Sequence, residues 1–221
     1  EYLLFPQASY VRDVTIPGFL TPQKGHRLAV GVSGSPKITD EFLGFLTVSA
    51  DARQYVSLGR RYTLAFRISG ASSFGPDPQQ FLLGGMGNWI NYRVGRQLTD
   101  AEISNLFFTI PAMPMRGYSY NQGIGDKFVL GNAEFRFPLF AALIPGPIPL
   151  FPLFNIQGAA FVDAGATWTG ARYNETLIGS GFGLRTILLG LPFRYDIGWP
   201  YDVETGRFGS RIHYFSIGID F

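Results

Sequence analysis

Residues 61–69 read Arg61-Tyr62-Thr63-Leu64-Ala65-Phe66-Arg67-Ile68-Ser69, and the alternation in that stretch decides the fold. Tyr62, Leu64, Phe66 and Ile68 fall on one side of an extended chain and Thr63, Ala65, Arg67 and Ser69 on the other, because successive side chains of a β-strand point to opposite faces. The same period of two recurs in both directions from there. Leu46, Val48, Ala50 and Ala52 alternate with Thr47, Ser49, Asp51 and Arg53, and Leu28, Val30 and Val32 with Arg27, Ala29, Gly31 and Ser33. Phe193, Tyr195, Ile197 and Trp199 alternate with Arg194, Asp196 and Gly198. The last stretch sets Phe215, Ile217, Ile219 and Phe221 against Tyr214, Ser216, Gly218 and Asp220.

Soluble half-buried strands also alternate, so the content of the polar face is what discriminates. Here it carries Arg67, Glu134, Arg136, Asp163, Arg185, Arg194 and Asp196, interleaved with glycine and other small residues. A transmembrane barrel puts such charges in an enclosed interior and turns the apolar face to lipid. Composition agrees: 46% of the 221 residues are hydrophobic and 15% charged, against about 25% charged in soluble domains. The uncharged run from Phe137 to Val162 is long enough for a membrane helix, but Pro138, Pro145, Pro147, Pro149 and Pro152 interrupt it. Each interior proline removes a helix hydrogen bond and costs roughly 3 kcal/mol. That leaves a barrel, because only helices and closed barrels satisfy every backbone group in hydrocarbon. With no cysteine, neither a disulfide framework nor a thiolate metal site is possible. A formal charge of +2 gives no argument for nucleic acid.

The predicted fold is therefore all-β, an antiparallel transmembrane β-barrel forming one domain over 1–221. Strands are expected near 7–15, 25–34, 42–54, 59–70, 124–137, 154–165, 180–190, 192–199 and 210–221. Short links at Pro22–Gly25, Ser57–Gly59 and Gly190–Pro192 predict periplasmic turns. The stretches 71–123, 165–179 and 199–209 predict long outer loops. Bacterial barrels close with even strand numbers, so nine strands point to the C-terminal half (about 8–9 strands) of a barrel of about 16, with N-terminal strands missing. The alternative is a complete barrel of about eight strands with 1–24 as a lead-in. Trp89, Trp168 and Trp199 suit interfacial girdles, or equally loop packing. The link 138–153 is expected as a periplasmic turn that rests on lipid through Phe140, Leu143, Ile148 and Phe151, or else as a rigid turn or a partner's docking site, the first being preferred.

Residues 71–123 form too long a connection to be idle, since unstructured loops beyond about 12–15 residues are uncommon. Thr99 and Glu102 make a capping box before Ile103, Leu106 and Phe107, which predicts a short helix there. Met115-Arg116-Gly117-Tyr118 follows, then a strand with Asn132-Ala133-Glu134-Phe135-Arg136, then one ending Phe161-Val162-Asp163-Ala164-Gly165. In these residues the chain resembles the outer-membrane assembly and two-partner secretion transporters. This is the bacterial surface antigen family, whose best-known members are the BamA-type insertases. The family's sixth loop carries a hydrophobic-Arg-Gly-Phe/Tyr motif, matched by Met115 to Tyr118. Its thirteenth strand carries F-x-D-x-G, matched by Phe161, Asp163 and Gly165, and its twelfth supplies a Glu that Glu134 resembles. Leu83-Gly84-Gly85, Gly181-Phe182-Gly183-Leu184-Arg185 and the closing strand with Phe221 resemble the family's too, in the same order over most of the chain. One spacing departs. The family's double glycine sits a few residues before Arg-Gly-Tyr, whereas about thirty residues separate Gly85 from Met115 here.

Taken singly, Arg116 reads as a solvated loop arginine and Asp163 as a strand-end acid beside a turn glycine. The resemblance implies more. It implies that the loop folds into the barrel and that Arg116, with Gly117 and Tyr118 at the tip, meets Glu134 and Asp163 as a latch. It implies that Phe161 and Gly165 complete the strand motif, and that Phe215, Ile217, Ile219 and Phe221 are a C-terminal assembly signal. It also implies that the closing strand forms a seam which opens to template an incoming strand. The implied function is insertion of outer-membrane proteins, or translocation of polypeptide, in the bacterial outer membrane. Implied partners are outer-membrane lipid, unfolded outer-membrane or secreted polypeptide, and periplasmic domains or accessory subunits, with no nucleic acid, cofactor or metal. A barrel-rim enzyme would need a nucleophile and base, yet His26 and His213 are the only histidines and neither lies in a Ser- or Asp-rich motif. Gly84-Gly85-Met86-Gly87 lacks the Lys-Ser/Thr of a phosphate loop. No enzyme is expected, and a passive pore or structural barrel is the alternative.

Overall fold

Alternation turns into a long antiparallel meander in the computed structural model, which describes residues 2–18, 20–59, 61–93, 109–139, 156–188 and 190–218. In chain order the strands are β1 (Gln7–Asp13), β2 (Ile16–Pro17), β3 (Pro22–Ser35), β4 (Phe45–Leu58) and β5 (Tyr62–Phe74), then β6 (Gln80–Leu83), β7 (Thr109–Ala112) and β8 (Gly123–Gly125). The remainder are β9 (Lys127–Pro138), β10 (Gln157–Thr169), β11 (Arg172–Leu188), β12 (Leu191–Asp202), β13 (Arg207–Phe208) and β14 (Ile212–Ile217). Eleven of them form one sheet in the order β1-β3-β4-β5-β9-β10-β11-β12-β13, with β2 also on β3 and β14 also on β12. These eleven strands fill nine positions, because β1 and β2 share one flank of β3 and β13 and β14 share one flank of β12. Among the described residues no pairing joins β1 to β14, so the sheet has two ends.

The two faces of this sheet are inverted relative to a soluble protein. Ile68 is 67% exposed and Phe182 65%, and Val30, Val48, Phe66, Val129, Phe135, Val162 and Leu184 are exposed as well. On the opposite face Arg136, Asp163 and Asp196 are 0% exposed. Water would favour the reverse arrangement; a hydrocarbon surround favours this one. Stacked aromatic pairs, Tyr62 with Phe135, Phe135 with Phe137 and Phe193 with Phe215, ring the outer face toward the β4–β5 and β11–β12 turns.

What covers the inner face is the long connection. It contributes a small sheet, β7-β6-β8, in which β6 runs parallel to β7 and antiparallel to β8. Phe81, Leu83, Ala112 and Met115 from this segment pack on Phe128, Leu130 and Leu177 of the wall. The upper interior is thus an apolar core, where the alternation alone predicted only polar side chains. The predicted capped helix at Thr99–Glu102 and most of the 138–153 link lie outside the described residues.

Two expectations need correction. The predicted outer loop 165–179 is instead strand: β10 and β11 pair as far as Thr169 opposite Arg172. A span needs about 9–11 residues, whereas β10 has 13 and β11 17. The ends therefore stand beyond the bilayer, lose their apolar face, and read as loop. Of the two readings for Trp89 the girdle falls and loop packing holds, since the residue is 6% exposed and packed on Tyr214.

Candidate functional site

The alternation of β9 to β12 sends Asn132, Glu134, Arg136, Asp163, Arg185, Arg194 and Asp196 to the covered face, where each is at most 4% exposed. The tip of the long connection comes down onto that face and inserts Arg116 among them. Met115 pairs with Gly85 in an antiparallel bridge, which holds the double glycine beside the Arg-Gly-Tyr turn despite the long insertion between them. Gly117 has φ +100, a region that penalises any Cβ. A side chain there would also press on the Trp199 backbone.

Arg116 is 0% exposed. Its Nε donates to Asp163 Oδ2 and its Nη2 to Asp163 Oδ1, both at 2.6 Å, the two-point fork that guanidinium and carboxylate geometry favours. Its backbone N–H adds a third bond to Asp163 Oδ2 at 3.0 Å. Nη1 donates to Glu134 Oε1 and, at 3.3 Å, to Asp196 Oδ2. The guanidinium carbon lies 3.5 Å from the centre of the Phe161 ring. Desolvation works against this charge, but the carboxylates of Asp163 and Glu134 outweigh it and hold the pKa of Arg116 well above its ordinary value.

Glu134 is the hub of a larger cluster. Besides Arg116 it accepts from Arg136 Nε at 2.8 Å, from Arg185 Nη2 at 2.8 and 3.0 Å, and from Arg194 Nη2 at 3.4 Å. Arg194 also pairs with Asp196 Oδ2 at 2.7 Å. Among the described residues, four guanidinium groups therefore face three carboxylates in this cluster. Asn132 Nδ2 bridges the wall to the loop, donating to Asp163 Oδ1 and to the Pro114 carbonyl, each at 2.8 Å.

Beyond the cluster, the turn is tied at two further points. Tyr214 Oη accepts from the Gly117 N–H at 2.8 Å and donates to the Tyr118 carbonyl at 2.7 Å. Tyr118 Oη donates to the Ile178 carbonyl at 3.0 Å. Space for the turn comes from small residues: a Cβ on Gly179 would collide with the Arg116 carbonyl. Gly165 similarly leaves room for Leu83.

The structure brings Arg116, Gly117, Tyr118, Glu134, Phe161, Asp163 and Gly165 together. Phe215 and Ile217 lie apart from them on the outer face, at 36% and 37% exposure. Ile219 and Phe221 fall outside the described residues. Sequence reasoning placed Arg136, Arg185, Arg194 and Asp196 in the interior without linking them to Arg116, and gave Tyr214 no role. Their parity was visible; their level along the barrel was not.

Comparison with known proteins adds the following. A family model described as the Omp85 superfamily domain matches residues 15–221. The crystal structure of BamA from Haemophilus ducreyi lacking POTRA domains 1–3 superposes with a TM-score of 0.62 at 15% sequence identity, over 96% of this chain and 42% of that one. The chain thus spans less than half of that protein's length. No match is found among curated protein sequences.

Proposed function

The chain belongs to the Omp85 superfamily and resides in the bacterial outer membrane, and from that premise we propose that it serves insertion of outer-membrane proteins or translocation of polypeptide, without catalytic chemistry. Arg116 acts as the latch. Held by Asp163 and Glu134, it keeps the long connection against the inner wall and braces β9 to β12 from within. The β14 edge acts as the seam, whose backbone groups template an incoming extended chain when it opens. Phe215 and Ile217, with Ile219 and Phe221, serve as the assembly signal of the barrel itself. Partners on this reading are outer-membrane lipid, unfolded outer-membrane or secreted polypeptide, and periplasmic domains or accessory subunits.

One observation carries the proposal: a fully buried arginine on a connecting loop is forked to a carboxylate of the wall, so the loop is anchored inside an interior that a passive pore would leave clear. The test is reconstitution of the full-length protein in vesicles. Insertion activity predicts faster folding of a urea-unfolded outer-membrane barrel than in protein-free vesicles, with Arg116→Ala losing most of the gain. In planar bilayers a plugged barrel gives small, erratic currents. Large stable conductance steps together with no folding gain would refute the reading in favour of a pore.

A further inference from the structure

The last strand of an open sheet presents a row of backbone N–H and C=O groups on its free side, and on β14 part of that row is already taken. β12 occupies one side, with Tyr195 opposite Phe215 and Asp196 opposite Tyr214. A piece of the long connection lies on the other. Trp89 and Ser216 form an antiparallel bridge, and the Ile90 N–H donates to the Phe215 carbonyl at 2.8 Å. Asn91 continues the pairing with its side chain: Oδ1 accepts from the Phe215 N–H at 2.9 Å and Nδ2 donates to the His213 carbonyl at 3.0 Å. A carboxamide offers a donor and an acceptor in one plane, as a peptide group does, so Asn91 stands in for the next residue of an added strand. Trp89 Nε1 fixes that amide oxygen at 2.7 Å, and the indole packs on Tyr214 with ring centres 4.6 Å apart.

We propose that residues 89–91 are a built-in occupant of the β14 edge, a short stand-in strand that caps the seam until an incoming extended polypeptide displaces it. This rests on the insertion role proposed above and supplies its regulation. Apart from the ring contact of Trp89 with Tyr214, the cap holds β14 through its backbone groups, so any extended chain can compete for those bonds whatever its sequence. It is also short. Three hydrogen bonds hold it to the edge, on the groups of His213 and Phe215, whereas a full strand can use every free-side N–H and C=O group of the alternate residues His213, Phe215 and Ile217. Displacement is therefore downhill for a strand-forming client, and non-productive opening of the edge is suppressed in its absence. The cap lies within the long stretch between Gly85 and Met115, the spacing that departs from the motif pattern.

These 221 residues hold no cysteine, which allows a direct test once any cysteine elsewhere in the full-length protein is replaced by serine. Trp89 and Ser216 occupy a non-hydrogen-bonded antiparallel pair, in which Cα atoms approach to about 4.5 Å, within disulfide range. The double variant Trp89→Cys/Ser216→Cys is made in the full-length protein and reconstituted in phosphatidylethanolamine–phosphatidylglycerol vesicles, with a urea-unfolded eight-stranded barrel as client. Oxidation is expected to join residues 89 and 216 and slow client folding at least tenfold relative to the same variant reduced, with dithiothreitol restoring the rate. Asn91→Ala removes two of the three edge bonds and is expected to speed folding severalfold. If the wild type is no faster than protein-free vesicles, the insertion role fails and the cap fails with it. If the wild type works but the oxidised pair folds the client equally fast, or never forms, the cap alone is overturned.

Discussion

Replacing Glu134 with Gln deletes one charge at nearly constant volume, and the geometry assigns it the largest effect of any single change in the interior. Four guanidinium groups, those of Arg116, Arg136, Arg185 and Arg194, converge on this carboxylate. With Asp163 and Asp196 included, positive charge already exceeds negative by one; Glu134→Gln raises the excess to two among side chains at most 4% exposed. Breaking a buried pair costs about 3–5 kcal/mol, chiefly from the charge left behind. Here several charges are left, so the cost falls at or above the top of that range. Arg116→Ala differs. It brings the cluster to neutrality and leaves Glu134 three arginine partners, while Asp163 keeps only neutral donors such as Asn132 Nδ2 at 2.8 Å. Its cost belongs at the bottom of the range, about 3 kcal/mol. Barrels in membranes unfold irreversibly, so the observable is a rate. It is read as loss of the folded, heat-modifiable band on gels at fixed temperature. About 1.4 kcal/mol corresponds to tenfold, so Arg116→Ala is expected to unfold up to roughly a hundredfold faster, with Glu134→Gln faster still. The reasoning fails if Glu134→Gln unfolds no faster than Arg116→Ala, or if both stay within twofold of the wild type.

Other consequences can be checked independently. Gly179→Ala places a methyl group against the Arg116 carbonyl and is expected to undock the turn, so trypsin should cut after Arg116 in the variant and spare the wild type. Tyr214→Phe removes the bonds to Gly117 and Tyr118 and should cost roughly 1–2 kcal/mol in the same heating assay, less than Arg116→Ala. Ile68→Arg and Phe182→Arg, at positions 67% and 65% exposed, should each destabilise the protein in bilayers by about 2–4 kcal/mol. Near-neutral behaviour at both would indicate that water, not lipid, bathes that face.

Parity alone made the barrel wall legible. Arg67, Glu134, Asp163 and Asp196 each sit where a period of two puts them, because one face of every strand had to meet a different medium from the other. The strand ends were not legible. Thr167 pairs with Glu175 and Thr169 with Arg172, and polar residues on both faces look like loop once the strand has left the bilayer. The Arg116, Glu134 and Asp163 set came from motif order. The rest of the cluster depends on which inner-face residues share a level, and that is set by strand register. Phe161 lies opposite both Glu134 and Gly181, yet Glu134 reaches Arg185 and Arg194 because long guanidinium side chains bend along the wall. The place of Trp89 at the β14 edge had no local signal, since its partner Ser216 lies more than a hundred residues away.

Tyr214 explains why the loop tip and the edge segment belong to one mechanism on the proposed reading. Its hydroxyl closes the Arg-Gly-Tyr turn, while its ring packs against Trp89 at a tilt. The residue belongs to β14, the strand whose free side would receive a client. A client pulling β14 away from its resting position therefore strains the turn that Arg116 anchors, and the cost of freeing Arg116 resists that movement. Buried charge suits such a restraint because the forked guanidinium–carboxylate bonds are directional and freeing Arg116 leaves charge uncompensated in a low-dielectric interior. An edge held by a few backbone bonds but backed by a buried ionic cluster is easy to exchange and hard to pull apart, which are the two properties a strand-accepting seam needs.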